Sequence, residues 1–294
     1  MILILGYGLI GKSLYERLTK EGYDVNVISR TVPQNHKDFI SADITAINTF
    51  NKYFEQAHTV IHCLHTTVPA TSNFDEVYDV QSNLIPFVSI LNICKESKVE
   101  NFVFISSGGA VYGLPTTTGL VNELSPTNPL SSYGITKLAC EKYLQLYREI
   151  FKGNVSILRP SNIYGRNQKT TKPNGIIGHA ISACINYQVL KIWGSGNGVK
   201  DYLYVEDFVD AVLLLLEHKG RSNQLIYNIA SGYHLTINEI VNKTEQHFNR
   251  KITREYLSRK NFDVETIIID SALFKHDFSW KPRYSLDLFL NEYK

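Results

Sequence analysis

Residues 1–11 read Met1-Ile2-Leu3-Ile4-Leu5-Gly6-Tyr7-Gly8-Leu9-Ile10-Gly11. A short apolar run ends in glycines spaced G-x-G-x-x-G, and an amphipathic stretch, Lys12–Glu21, follows at once. Strand, glycine turn and helix in that order leave room for a pyrophosphate over the helix N-terminus, whose free N–H groups and dipole favour an anion. Gly6, Gly8, Leu9, Ile10 and Gly11 are therefore expected to hold a dinucleotide, in an α/β chain with a doubly wound parallel sheet. No basic segment precedes Ile2–Leu5, so it reads as a first strand and not as a signal peptide.

A second strand is predicted over Asp24–Ile28, and the residues after it bear on the cofactor. NAD sites place an acid there for the ribose 2′-hydroxyl, whereas this chain has Ser29-Arg30, a small hydroxyl and a permanent cation. That pair suits a 2′-phosphate, so NADP is the expected cofactor, with NAD as the alternative. Asp43, followed by Ile44, is placed to meet the adenine amino group. Thr59–Leu64 reads as a strand carrying His62 and His65. Residues three apart on a strand face opposite ways, which argues against a shared metal and makes one of the two a core histidine. A long helix over about 74–98 then carries Asn83 and Pro86. Phe102–Ile105 is a fully apolar strand that delivers Ser106-Ser107-Gly108-Gly109-Ala110-Val111-Tyr112-Gly113 at its carboxyl end, where ligands bind in such sheets.

Ser131-Ser132-Tyr133-Gly134-Ile135-Thr136-Lys137 opens a helical segment to about Phe151. Tyr133 and Lys137, four apart, share one helix face. An ammonium near a phenol lowers its pKa from about 10 toward neutrality, where tyrosine can exchange a proton with a sugar hydroxyl or carbonyl. Taken alone, the spacing equally fits a solvated helix face.

Composition bounds the partners. The 294 residues are 44% hydrophobic and 20% charged with a formal charge of +2, which suits a globular chain with a full core and suggests neither a nucleic-acid nor a membrane surface. The longest apolar run, within Phe208–Leu216, is far short of a membrane span. Cys63, Cys94, Cys140 and Cys184 lie far apart without metal or disulfide spacing and read as reduced thiols of a cytoplasmic protein.

The ordered set of glycine turn, Asp43, Asn83, the 106–113 loop and Tyr133…Lys137 resembles the extended short-chain dehydrogenase/reductase family of nucleotide-sugar epimerases, dehydratases and reductases. The likeness continues through Leu158-Arg159-Pro160-Ser161-Asn162-Ile163-Tyr164-Gly165, the 194–207 stretch with Lys200-Asp201-Tyr202, then Tyr227-Asn228-Ile229-Ala230 and Trp280-Lys281-Pro282, nearly the whole chain. The resemblance implies a Rossmann-type domain, 1–165 with 205–232, and a smaller discontinuous α/β substrate domain, 166–204 with 233–294. It makes Tyr133 the general acid/base, Lys137 the partner of the nicotinamide ribose, and Leu64, His65, Ser106 and Pro160 further cofactor contacts. A hydroxyl before the tyrosine orients the substrate oxygen. The position that is Ser in many 4-epimerases is here Gly108, which leaves Ser107 as first choice and Ser106 as fallback. Gly108, Asn162, Lys200 and Arg259 would meet the substrate, the two cations gripping the diphosphate of a nucleotide sugar. A polar lid is expected over 164–177.

Family dehydratases carry an Asp-Glu pair where this loop has Gly108-Gly109, so dehydration is not expected. The first choice of reaction is NADPH-dependent reduction of a nucleotide 4-keto-6-deoxyhexose, prompted by Ser29-Arg30; the alternative is NAD-dependent 4-epimerisation, prompted by the 106–113 loop. A non-catalytic dinucleotide-binding protein is the remote third reading. A homodimer through the two long helices is expected by analogy.

Overall fold

The computed structural model describes residues 1–33, 36–49, 51–114, 119–151, 154–166, 168, 175–218, 224–260 and 263–293. Its main sheet has seven strands: β1 (Ile2–Leu5), β2 (Val25–Ser29), β3 (Phe39–Ser41), β4 (Thr59–His62), β5 (Asn101–Ile105), β6 (Asn154–Pro160) and β7 (Ile226–Ile229). Their order is β7-β6-β5-β4-β1-β2-β3, and β1 to β6 pair in parallel. The direction of winding reverses between β1 and β4, the switch point at which the carboxyl ends of doubly wound strands leave a crevice for a ligand. Every residue of β1 and of β4 is buried, as expected of strands covered on both faces.

The chain divides into two compact units. The first comprises Met1–Ser107, Ser131–Arg159 and Val209–Tyr227; the second comprises Gly108–Leu130, Pro160–Phe208 and Asn228–Lys294. These bounds differ from those read in the sequence chiefly at Gly108–Leu130, which groups with the second unit. The contacts that take it there are local to that unit. Leu120–Val121 pairs with Ile268–Ile269, Tyr112 Oη donates to Asn228 Oδ1 at 2.7 Å, and Glu123 accepts from the Asn228 amide at 2.8 Å.

In the first unit a core of Phe87, Ile90, Phe102, Phe104, Leu144 and Ile157 packs against β1 and β4. Each such side chain contributes about 1.5–3 kcal/mol by leaving water. The expected helix over 74–98 is in fact three pieces. Asp75 caps a short turn, Glu76–Asp79, by accepting from the Tyr78 amide; a π-helical turn, Val80–Leu84, follows; and Ile85–Glu96 continues as α-helix with Pro86 in its first turn. Proline supplies no N–H, so it is tolerated at the start of that third piece.

The second unit has its own core, in which Tyr164, Tyr204 and Phe289 pack ring to ring with Ile181 and Ile240. A three-stranded sheet (162–164, 199–204, 234–236) and a parallel pair, Leu190–Trp193 with Arg254–Leu257, form its strands. The helix Ile237–Phe248 opens with a full Thr236/Glu239 capping box. Half of the predicted lid, 167 and 169–174, lies outside the described residues. No described helix is long and apolar enough to cross a membrane.

Candidate active site

The glycine turn has the geometry that its spacing implies. Gly6 has φ +104°, and a Cβ on Gly11 would stand 1.9 Å from the Gly6 carbonyl oxygen, so helix Leu9–Lys20 starts hard against the end of β1. Gly8 precedes that helix with no side chain capping it. The first-turn N–H groups are thus left for an anion. A cavity of about 270 Å³ opens beside β2, β3 and β4 in the same unit. Ser29, Arg30, Asp43, Ile44, Leu64, His65 and Asn83 all line it, so seven of the expected cofactor residues share its wall. Gly6, Gly8, Leu9, Ile10 and Gly11 stand off that wall at the end of β1. Asp43 accepts from the Thr45 amide at 2.9 Å and its hydroxyl at 2.8 Å; these bonds, with Arg30 adding charge, hold its carboxyl below the usual range. The uncapped helix start and the polar residues of the cavity wall supply the kinds of donor and acceptor a dinucleotide needs.

Tyr133, Lys137 and Ser107 also belong to this unit. The Ser107 hydroxyl acts on the Tyr133 phenol and works to lower its pKa. Lys137 Nζ donates to the Ile105 carbonyl at 2.7 Å and lies 5.9 Å from the centre of the Tyr133 ring. Contrary to the expected lowering, burial pushes the Tyr133 phenol up to about 12; the Ser107 hydroxyl works downward and the Asp79 charge upward. Burial likewise brings Lys137 down to about 8. Ser106 is engaged elsewhere: its hydroxyl donates to Glu141 Oε1 at 2.5 Å, and Glu141 is clamped by Arg159 at 3.0 and 2.6 Å. Between the two serines only Ser107 acts on the phenol.

The two histidines separate as their spacing implied. His62 is buried among Phe87, Phe102 and Phe104, whereas His65, beyond the end of β4, sets its ring edge-on to Tyr133 with centroids 4.5 Å apart. Burial, and then the charge of Lys137, push His65 down to about 4. Asp79, not foreseen, is fully buried beside it and accepts from Ser132, Thr136, Thr67 and Asn83. Its only signal in the sequence was its place four residues before Asn83.

The remaining expected residues belong to the second unit. Gly108 opens a short helix, Gly108–Val111, and Pro160 ends β6. Asn162 Nδ2 donates to the Asp201 carbonyl at 2.9 Å. Lys200 and Arg259 come together around Asp263: Lys200 Nζ is 2.7 Å from its carboxylate, Arg259 Nη2 donates to its backbone carbonyl at 2.9 Å, and Arg259 Nη1 pairs with Glu265 at 3.0 Å. Both cations are thus held by acids of this chain.

A doubly wound sheet with a glycine turn, a cavity at its strand ends and a Tyr–Lys pair one helical turn apart defines a dinucleotide-dependent oxidoreductase. The profile of the NAD dependent epimerase/dehydratase family matches residues 2–230, and the chain belongs to that family. A protein of Methanocaldococcus jannaschii, provisionally named a UDP-glucose 4-epimerase, is 31% identical over 97% of this chain and 94% of its own. The dTDP-4-dehydro-6-deoxyglucose reductase of Escherichia coli is 27% identical over 96% of this chain and 92% of its own. Among solved structures, the UDP-glucose 4-epimerase of Thermotoga maritima with UDP-glucose superposes with a TM-score of 0.92 at 26% identity, covering 99% of this chain and 97% of that one.

Proposed function

We propose that this chain is an NAD-dependent 4-epimerase of a UDP-hexose. The observation that carries the reading is Tyr133 with the Ser107 hydroxyl acting on its phenol and Lys137 Nζ 5.9 Å from the centre of its ring, in a chain whose 31% identical relative is provisionally named a UDP-glucose 4-epimerase. This reverses the order of preference drawn from Ser29-Arg30. The family is named for NAD, and an exposed Arg30 on the cavity wall is compatible with either dinucleotide.

The glycine turn, Asp43, Asn83 and Lys137 would hold NAD, which would supply reversible hydride transfer at C4. In its phenolate form Tyr133 Oη would take the proton of the 4-hydroxyl as C4 is oxidised and return it as C4 is reduced, so no net proton is consumed over the cycle. Ser107 Oγ orients the same oxygen. With its pKa near 8, Lys137 is largely cationic at neutral pH and favours the phenolate as the phenol loses its proton. Lys200 and Arg259 exchange Asp263 and Glu265 for the diphosphate.

A second reading, NADPH-dependent reduction of a nucleotide 4-keto-6-deoxyhexose, is favoured by Arg30 and by the reductase relative. Homodimerisation and a cytoplasmic place belong to the same proposal. Ile85, Ile135, Leu146 and Ile150 are exposed on two helices of the first unit, and all four cysteines are free thiols.

The test is to denature purified protein, identify the dinucleotide released, and assay interconversion of UDP-glucose and UDP-galactose. Stoichiometric NAD and turnover that falls at least about a thousandfold in Tyr133→Phe are expected. Empty protein that prefers NADPH and reduces a 4-keto sugar nucleotide would replace the epimerase reading with the reductase one.

A further inference from the structure

Asp79 is a fully buried carboxylate with no lysine or arginine paired to it among the described residues. It is surrounded by neutral donors. Oδ2 accepts from Ser132 Oγ and Thr136 Oγ1, both at 2.7 Å; Oδ1 accepts from the Thr67 hydroxyl and from Asn83 Nδ2 at 3.0 Å. Ser132 and Thr136 are one helical turn apart and flank Tyr133, so a single oxygen pins both ends of the turn that carries the tyrosine. On its other side, Asp79 Oδ1 stands 3.6 Å from His65 Nε2, and the His65 ring meets Tyr133 edge-on at 78°. The carboxylate lies immediately before the π-helical turn, an irregularity that re-aims side chains and is found often at functional sites.

We propose that Asp79 is a positioning residue for Tyr133: it locks the first turn of helix Ser132–Phe151, and so sets where the tyrosine hydroxyl stands and what charge it feels. The inference rests on the reading of Tyr133 as the proton-transfer group. The groups that face the phenol are Ser107 from beyond β5, His65 from beyond β4, Lys137 from its own helix and Asp79; Cys63, Cys140 and Glu141 act on it only through Lys137. Although burial works against ionisation, the donors around Asp79 outweigh it and keep the carboxyl well below its usual range, so its negative charge is present at neutral pH and opposes phenolate formation.

Two variants separate geometry from charge. Asp79→Asn removes the charge and replaces one of the two acceptor oxygens by a donor. Ser132→Ala combined with Thr136→Val loosens the turn and keeps the carboxylate. The measurements are kcat and KM with UDP-glucose across pH, and an ultraviolet difference titration of each variant against the same variant carrying Tyr133→Phe, which reads the phenol without turnover. For Asp79→Asn the phenol is expected to titrate about one unit lower and kcat to fall about 10- to 100-fold with KM within about threefold. For the double variant kcat falls similarly without the downward shift. A folded Asp79→Asn enzyme with kcat within about twofold and an unmoved phenol overturns the inference, whatever its loss of stability. Should Asp79→Asn not fold, the double variant decides: kcat within about twofold overturns it, and a selective fall in kcat upholds it. Full turnover in Tyr133→Phe alone would instead remove the proposed chemistry, and the difference titration would still report whether Asp79 acts on the phenol.

Discussion

Glu141 and Arg159 form the most costly ion pair of the first unit to break. Both are almost wholly buried, at 2% and 3% exposure, and are joined by two N–H···O bonds, with Ser106 adding a third at 2.5 Å. Glu141→Gln keeps the shape and one acceptor but takes the negative charge away from a buried guanidinium. Breaking such a pair from one side costs about 3–5 kcal/mol, and the carbonyl that glutamine retains places the expectation near the lower figure. Removing both charges, as in Glu141→Leu with Arg159→Met, leaves no unpaired ion, so the double variant should recover about 2 kcal/mol of that loss. The assay is urea unfolding followed by far-ultraviolet circular dichroism. Tryptophan fluorescence is the wrong probe, because the chain's two tryptophans, Trp193 and Trp280, both lie in the second unit. A loss below about 1 kcal/mol for Glu141→Gln, or a double variant no more stable than the single one, would refute the reasoning.

Two further outcomes are expected. Gly11→Ala puts a methyl group 1.9 Å from the Gly6 oxygen, so the helix must shift off β1; overpacking of this kind costs about 1–3 kcal/mol, and calorimetric titration should show NAD binding weakened about 10- to 100-fold. Acid should destabilise the first unit before its carboxylates titrate. His65 is lowered to about 4, so between pH 6.5 and 4 the unfolded chain takes up a proton that the folded chain refuses; stability falls as pH drops through that window, by up to ~3 kcal/mol, with His62 acting in the same direction. Urea midpoints at pH 7 and pH 5 measure the slope, and a flat response, or one unchanged in His65→Phe, contradicts it.

What could be read in the chain beforehand was what short-range pattern specifies. Gly6 to Gly11 announce the turn because helix and strand can approach only where a side chain is missing, and Tyr133 and Lys137 announce themselves by helical spacing. Arg30 pointed toward NADP, a preference that the family does not support, since an exposed cation at a strand end carries little information by itself. The uninterrupted helix over 74–98 failed at the π turn, where apolar periodicity persists although the hydrogen-bonding does not. Asp79 stayed hidden because its partners Ser132 and Thr136 are more than fifty residues away, and Glu141 looked like any polar residue of an amphipathic helix until Arg159 arrived from the next strand. Lys200 and Arg259 stand out by their charge, whereas the acids that hold them give no sign of that use: Asp263 and Glu265 lie close to Arg259 in the chain, but Asp263 is 63 residues from Lys200.

The passage of the chain between its two units has a consequence for biosynthesis. The first unit is assembled from three stretches separated by segments of the other, and the last of them, Val209–Tyr227, carries the beginning of β7. A ribosome that has released only the first 160 residues has delivered β1 to β6 but not the strand that closes the β6 edge, so the nascent sheet waits with unpaired backbone groups exposed. Translation pauses and chaperone capture therefore matter most in the interval before residue 229 emerges, and truncations that stop within it should yield insoluble fragments rather than a smaller working domain.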